Sequence, residues 1–494
     1  MNLNNRYNSY NTNLIFKKLA IDFVILGTPL FAACNQITHS DNKLGPNIVL
    51  ILADDLGYND ISTFRRLHLD KQPENPPTCL TPNIDKLAKD GMIFTDFYCG
   101  AAVCSPSRAS LLTGKNCTRL GIYNWVPENQ PMHLRSEEIT LAELLKAKNY
   151  KTGHFGKWHL TSQNTNQPLP NDQGYDYSFF SYNNAMPSHR NPVNYFRNGQ
   201  AVGPLEGYAC GLVVDEAINW LNTNETYQAP FYINIWFNEA HSKVAAPPEL
   251  ASRHKLNNEY YGCIENMDLA IGKLMAYLKE KNLENNTIVI FTSDNGSEID
   301  SSNDPFRGVK HFNYEGGVRV PFVIKWPEQI PAGTESKMPC SFTDVFPTIA
   351  ALTGTEFTAE KKIDGIDISE ILKGKQKTIE RENPIFFFRY FHDPICMLRD
   401  GDWCLLGYKN YISPSETLDI IKLANVDSWN FNENHMKYLK NATPEIFELY
   451  NMSYDKEQKN DVSAQHPEIV KRMKEKMLAY RDEMITEGGD WYQQ

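Results

Sequence analysis

The chain has 494 residues, 41% hydrophobic and 22% charged, with 28 glycines and 28 prolines. That is the make-up of a globular protein, long enough for a large core divided among more than one region, and not of a fibrous or disordered one. A net charge of −11 argues against a nucleic-acid binder, which needs a basic face, but leaves room for an anionic ligand met by a few cations in a cleft.

Residues 1–16 are polar and asparagine-rich, and Lys17 and Lys18 then precede "LAIDFVILGTPLFAAC". This charge-then-apolar order predicts a secretory signal over residues 1–34. Its apolar part, Phe23–Ala33, is too short to span a bilayer as a helix. The end, "LFAAC", resembles a bacterial lipoprotein signal, whose cleavage leaves Cys34 as a lipidated N-terminus. A plain signal with an incidental Cys34 is the alternative. Either predicts an exported protein of a Gram-negative bacterium, periplasmic or attached to the outer membrane, with lipid contact only through that anchor. The ten cysteines contain no CxxC, which speaks against a zinc ribbon or thioredoxin motif. Export permits disulfides, but their pairing is not readable.

From residue 46 strands and helices alternate. "NIVLILADD" (Asn47–Asp55) is an unbroken apolar run ending in two acids, as in a strand covered on both faces. "TPNIDKLAKDG" predicts a helix with Thr81 as N-cap, Pro82 in first position and Gly91 just past the end. A strand ("MIFTDFY"), a helix ("TLAELLKAKNY") and a strand ("KTGHFGK") follow. Next come a buried strand ("PFYINIWFNEAH") and a long helix with Ile264, Met267, Ile271, Leu274 and Leu278 on one face. "NTIVIFTSDNG" and "PFVIKWP" read as further strands. The pattern predicts an α/β fold over residues 46–375: a large doubly wound, mixed but mainly parallel sheet flanked by helices. The polar stretch "KGKQKTIEREN" reads as a linker to a smaller C-terminal α+β subdomain over 376–494 with an antiparallel sheet. Its strands lie in "PIFFFRYF", "MLRDGDWCLLGY" and "EIFELYNM". A last helix, opened by Pro467, carries Ile469, Met473, Met477, Tyr480 and Met484 on one face.

In open α/β sheets, ligands bind beyond the carboxyl ends of the strands. Asp54, Asp55 and the pair Asp294–Asn295 fall at such ends. Each alone suits a solvated turn or a helix cap. Together they form an oxygen-only set, which favours Ca²⁺ or Mg²⁺ over zinc. In "CSPSRASLLTG" the residue types leave Cys104 open as a buried thiol, half of a disulfide, or a nucleophile.

The order "ADD", "CSPSR…LLTG", "GKWHL", "SDNG", "EGG" resembles that of the type I sulfatases, a branch of the alkaline-phosphatase superfamily, over about residues 46–375. The resemblance implies a sulfuric-ester hydrolase acting on a sulfated carbohydrate, as bacterial carbohydrate sulfatases do. It also implies that a formylglycine-generating maturation enzyme oxidises Cys104 to formylglycine. A thiol of reference pKa ~8.5 is mostly protonated at neutral pH. In the hydrated aldehyde, one hydroxyl attacks the sulfate sulfur and expels the alcohol. The other then loses its proton, the carbonyl re-forms and inorganic sulfate leaves. By the same resemblance, Asp54, Asp55, Asp294, Asn295 and residue 104 hold Ca²⁺, with Mg²⁺ as second choice. Arg108 would hold the diol and support the metal site. Lys157 and His159 would contact the sulfate and the diol, His241 would assist at the leaving-group side, and Lys310 would be a second sulfate-binding lysine.

Two positions depart from the family pattern. His241-Ser-Lys replaces a common His-x-Pro, which brings the charge of Lys243 toward the substrate, and Val309 replaces one glycine before Lys310. Taken singly, Lys157 and Lys310 also read as surface lysines and His241 as a turn cap. Trp158 reads as core support, and His154, Cys99 and Cys117 as packing or disulfide residues. The polar segment Ser181–Gln200 reads as a loop. There Asn183, Asn184, His189 and Arg190 either contact sugar hydroxyls and a neighbouring anion or belong to a surface excursion held by its own turns. "FRYFHDP" (Phe388–Pro394) is placed to close over the cleft. Two other functions fit less well: a phosphodiester or phosphonate monoester hydrolase of the same superfamily, and a glycan-binding relative with an unmodified Cys104.

Overall fold

A computed structural model describes residues 45–68, 79–163, 165–223, 229–357, 362–410 and 431–493. The predicted signal segment and Cys34 lie outside the described residues.

Sixteen strands are present among the described residues: β1 (Asn47–Ala53), β2 (Met92–Phe94), β3 (Phe97–Tyr98), β4 (Lys151–Lys157), β5 (Tyr177–Ser181), β6 (Tyr195–Arg197), β7 (Gln200–Ala201), β8 (Phe231–Trp236), β9 (Thr287–Ser293), β10 (Phe322–Lys325), β11 (Thr334–Ser336), β12 (Cys340–Ser341), β13 (Ile385–Phe388), β14 (Cys396–Asp400), β15 (Trp403–Tyr408) and β16 (Ile446–Asn451). Ten form the main sheet in the order β11-β2-β10-β9-β1-β8-β4-β5-β6-β7. Its centre, β9-β1-β8-β4-β5, is all parallel. β10 runs antiparallel to β9 and β2 at one side, and β6 runs antiparallel to β5 at the other.

The unbroken apolar runs follow from burial on both faces. In β1, Ile48, Leu50 and Leu52 enter one core while Val49, Ile51 and Ala53 enter the other. The second core is closed by the helices Pro82–Asp90, Ala209–Thr223 and Asn258–Glu280. Ile264, Met267, Ile271, Leu274 and Leu278 of the last are all buried there, as their spacing predicts. Pro82–Asp90 starts and stops where the sequence places it, but the Thr81 side chain does not cap it. Asp268, from the long helix, accepts from the amides of Asn83 and Ile84 instead.

The first core extends without a break into the C-terminal region. Strands β13–β16 form a separate antiparallel sheet. Their Phe386, Leu398, Leu405 and Leu449, and Met473, Met477 and Met484 of the final helix Pro467–Gly488, bury in the same cluster as Leu50. Residues Leu44–Gln494 accordingly form one compact unit.

Some local expectations change. "MIFTDFY" is two strands in two sheets, broken at the buried Asp96, which pairs with Arg319 at 2.5 Å. The helix from Leu141 is short, ending at Lys146. The segment 181–200 is not only a loop, since it carries β6 and the start of β7. All nine described cysteines are free and buried, so Cys99 and Cys117 serve packing and not disulfides. His154 is a core residue ringed by Trp158, Tyr175 and Trp236, and burial lowers its pKa to about 3.

Candidate active site

Four adjacent parallel strands deliver the site from their carboxyl ends. β1 gives Asp54 and Asp55, and β9 gives Asp294 and Asn295. β4 ends in Lys157, two residues before His159, and β8 runs out toward His241. The fifth contributor is the helix Cys104–Thr113, all ten residues of which are buried. Cys104 opens its first turn and Arg108 stands one turn on, on the same face.

Two strained backbone positions lie here. Asp55 (φ 61°) and His159 (φ 56°) are left-handed non-glycine residues, a conformation that persists where the surroundings over-determine it. Gly156, beside Lys157, has φ 109°, and a Cβ there would sit 1.8 Å from the Trp236 carbonyl oxygen. Only glycine lets β4 approach β8 so closely and deliver the lysine. Gly317 serves the Lys310 loop in the same way, for its Cβ would fall 2.0 Å from the Phe312 oxygen.

The charges interlock. Arg108 donates to Asp294 Oδ2 from Nε (3.0 Å) and Nη2 (2.7 Å) and lies 3.1 Å from Asp54 Oδ1. Lys157 Nζ is 2.7 Å from Asp54 Oδ2, 2.8 Å from Asn184 Oδ1 and 3.9 Å from Cys104 Sγ. Lys310 Nζ lies 2.6 Å from Asp55 Oδ2 and 3.4 Å from Glu298. His241 Nε2 approaches Asp55 Oδ2 at 3.5 Å.

The residues present fit a hard divalent cation. Ligand atoms of Asp54, Cys104 and Asp294 lie within 4.8 Å of one another, as do those of Asp55, Cys104 and His241. Asp54 Oδ1 has only the Arg108 ion pair, and Asn295 Oδ1 is buried and accepts no hydrogen bond, a costly state that a cation relieves. Burial and the neighbouring Asp54 carboxylate push the Asp294 carboxyl up. Burial also acts to raise Asp54, but Lys157 and Arg108 outweigh it and hold that carboxyl well below the ordinary range. In these groups Asp54, Asp55 and Asp294 offer carboxylate oxygens, which with the Asn295 oxygen suit Ca²⁺ or Mg²⁺, whereas the Cys104 sulfur and the His241 nitrogen are softer donors.

Cys104 is not a ready nucleophile as a thiol. Burial pushes its pKa up to about 12, against the opposing pull of Lys157 and Lys310. His159 is buried, with neither ring nitrogen hydrogen-bonded. Burial, with Lys157 and Arg108 beside it, holds it neutral.

The "Sulfatase" family model matches residues 46–355. This chain belongs to the sulfatase family. It is 32% identical to N-acetylgalactosamine-6-sulfatase of Canis lupus familiaris over 374 residues, covering 70% of this chain and 68% of the relative. It is 33% identical to arylsulfatase A of Homo sapiens over 380 residues, covering 71% and 72%. Among solved structures, that of Ps i-CgsB in complex with k-i-k-neocarrahexaose aligns with a TM-score of 0.73 at 25% identity, covering 91% of this chain and 94% of that one. The protein is therefore a sulfuric-ester hydrolase, and members of its family generally use formylglycine and a divalent cation.

The structure brings Asp54, Asp55, Cys104, Arg108, Lys157, His159, His241, Asp294, Asn295 and Lys310 together in one cluster. The substrate-loop residues divide. Asn184 holds Lys157, and Asn183 and Asn184 line a cavity of about 190 Å³ with His159, Tyr182, Glu128 and Asn194. His189 is not presented to a ligand. It is fully buried, 3.9 Å from Glu239, and its amide bonds the Lys243 carbonyl. Arg190 and Lys243 are exposed, and neither lines that cavity. Sequence reading missed Glu298, which lies 3.4 Å from Lys310 Nζ and 3.6 Å from His311 Nε2. Its place three residues after Asn295 in "SDNGSE" was the available signal.

Proposed function

We propose that this sulfatase removes an O-sulfate from a sulfated carbohydrate, with residue 104 in the formylglycine form and Ca²⁺ held by Asp54, Asp55, Asp294 and Asn295. The observation that carries the reading is the convergence of two buried carboxylates and Lys157, from the ends of β1, β9 and β4, on the Cys104 side chain in the first turn of its helix. The bound cation and the modified residue would supply, respectively, charge neutralisation of the sulfate and a nucleophile that regenerates itself.

The chain's own groups do the rest. Lys157 and Lys310, each anchored by one aspartate, meet the spread negative charge of the sulfate. Arg108 fixes Asp54 and Asp294 and neutralises them in the dry interior. His241, the least buried of the set with a side-chain exposure of 15%, sits where the departing alcohol needs a proton. His159, neutral and without a partner, is free to hydrogen-bond the substrate. The polar cavity bounded by Asn183, Asn184 and Asn194 suits sugar hydroxyls, and the carbohydrate-bound neighbour points to the same class.

Export through residues 1–34 with lipid on Cys34 belongs to the same reading and rests on the sequence pattern. Cys34→Ser should move the protein from the membrane fraction to the soluble fraction.

The test is to co-express the protein with a formylglycine-generating enzyme and screen sulfated monosaccharides that differ only in sulfate position, beside an aryl sulfate and an aryl phosphonate. One sulfate position should be preferred, and Cys104→Ala should abolish turnover while the protein stays folded. Phosphonate cleavage outpacing every sulfate, or undiminished sulfatase activity in Cys104→Ala, overturns the reading.

A further inference from the structure

Arg389, in the C-terminal "FRYFHDP" segment, is 4% exposed. Among the described residues no carboxylate lies within ion-pair distance of it. A buried guanidinium without a counter-ion is costly and calls for an explanation. None of its contacts is an anion: Nε donates to His392 Nδ1 (3.1 Å), Nη1 donates to Asn124 Oδ1 (3.3 Å), Nη2 lies 3.4 Å from His311 Nδ1, and the guanidinium carbon sits 4.6 Å over the Phe391 ring, a partial compensation only. Burial, and then Arg389 itself, keep His392 uncharged, and burial holds His311 at a pKa of about 4. Three of the five guanidinium donors are engaged in these contacts, leaving two.

A second observation points the same way. Asn124 is fully buried, and its Nδ2 has no hydrogen-bond partner. An unspent amide donor therefore stands beside a cation with no carboxylate partner, a combination that fits an anion with oxygen acceptors.

The cluster borders the reaction centre on two sides. Asn124 precedes Trp125, whose ring lies 6.3 Å from His159, and Val126, which lines the cavity at Asn183. On the other side His311 follows Lys310, bonds through its amide to the Ala102 carbonyl two residues from Cys104, and approaches Glu298 at 3.6 Å. Its side chain, 34% exposed, is where the cluster meets solvent. Arg389 thus bridges the two walls and lines one cavity with Val103, the residue before 104.

We propose that Arg389 and Asn124 form an anion-recognising subsite beside the Cys104 centre, built for a second negative group of the substrate on or next to the sulfated sugar. This rests on the carbohydrate-sulfatase reading. The chemistry is shared by a uronic-acid carboxylate and a further sulfate, and ligands can separate the two.

Three sulfated disaccharides are compared with the matured protein: one with a neutral neighbouring sugar, one with a uronic acid, and one with a second sulfate. Binding is read by calorimetry alongside turnover. One anionic ligand should bind at least about tenfold more tightly than the neutral one, with the gain in KM and not in kcat. Arg389→Gln should erase that preference, leave the neutral ligand unchanged and keep or raise the melting temperature. Arg389→Lys should retain part of the preference. Equal binding of all three ligands by the unaltered protein overturns the subsite, whether or not the variants fold. So does an equal loss on all three in Arg389→Gln with a lowered melting temperature, which marks a structural arginine. If Arg389-dependent binding persists without any turnover, hydrolysis is what fails and the subsite stands.

Discussion

Arg108→Met is the most informative perturbation of the site's electrostatics. The guanidinium makes contacts of 2.7, 3.0 and 3.1 Å to two carboxylates and donates at 3.0 Å to the Lys157 carbonyl, all in full burial. Removing one partner of such a buried pair leaves charge without compensation and costs about 3–5 kcal/mol. The compact unit spans about 450 residues, so its unfolding entropy near the midpoint is on the order of 1 kcal/mol per kelvin. Without divalent cation, the variant should then melt about 3–5 °C below the parent. Ca²⁺ reverses part of this loss. Arg108 and the cation neutralise the same aspartates, so deleting the arginine strengthens cation binding, and ligand linkage makes Ca²⁺ raise the variant's melting temperature more than the parent's. Scanning calorimetry in EDTA and in millimolar Ca²⁺ reads both effects. Equal stability in EDTA, or a larger Ca²⁺ gain in the parent, would refute the idea that these carboxylates form a cation site shared with Arg108.

Gly156→Ala should cost about 3 kcal/mol or more, because the φ of 109° and the 1.8 Å approach to backbone admit no side-chain adjustment. Soluble yield and turnover should fall together as Lys157 shifts, and a fully active, stable variant contradicts this. Asp60 is buried and accepts from Tyr260 Oη (2.6 Å) and the Gly57 amide (2.9 Å), yet burial outweighs these bonds and lifts its pKa to about 6. Between about pH 4 and 6 the native state then keeps a proton that the unfolded chain has released, so stability falls as pH rises through that window. Asp60→Asn should gain about 2–3 kcal/mol at pH 8 and nothing near pH 4. A gain independent of pH argues against it.

What the sequence showed and what it hid have physical causes. β1, β4, β8 and β9 were legible because central parallel strands are apolar on both faces and end in polar ligands. The Cys104–Thr113 helix carries no amphipathic period, since all of its residues are buried, and only the motif exposed it. The helix Ala209–Thr223 carries a stripe of Val213, Val214, Ala217 and Leu221, a pattern legible in the sequence. His189 looked like a sugar contact because its neighbours are polar, but the β5–β6 turn folds it inward against Glu239. Arg389 and Asn124 lie 265 residues apart, and nothing local in the sequence joins them. Such long-range pairs are what folding adds to a motif list.

The central claim is that turnover belongs to an oxidised residue 104 and not to its thiol. Preparations matured to different extents can be scored by the mass of the peptide carrying residue 104, which is ~18 Da lighter after conversion, and by hydrolysis of the preferred sulfated sugar. Rates should rise in proportion to the converted fraction and extrapolate to zero at none. Full turnover from protein whose Cys104 remains an intact thiol contradicts the claim.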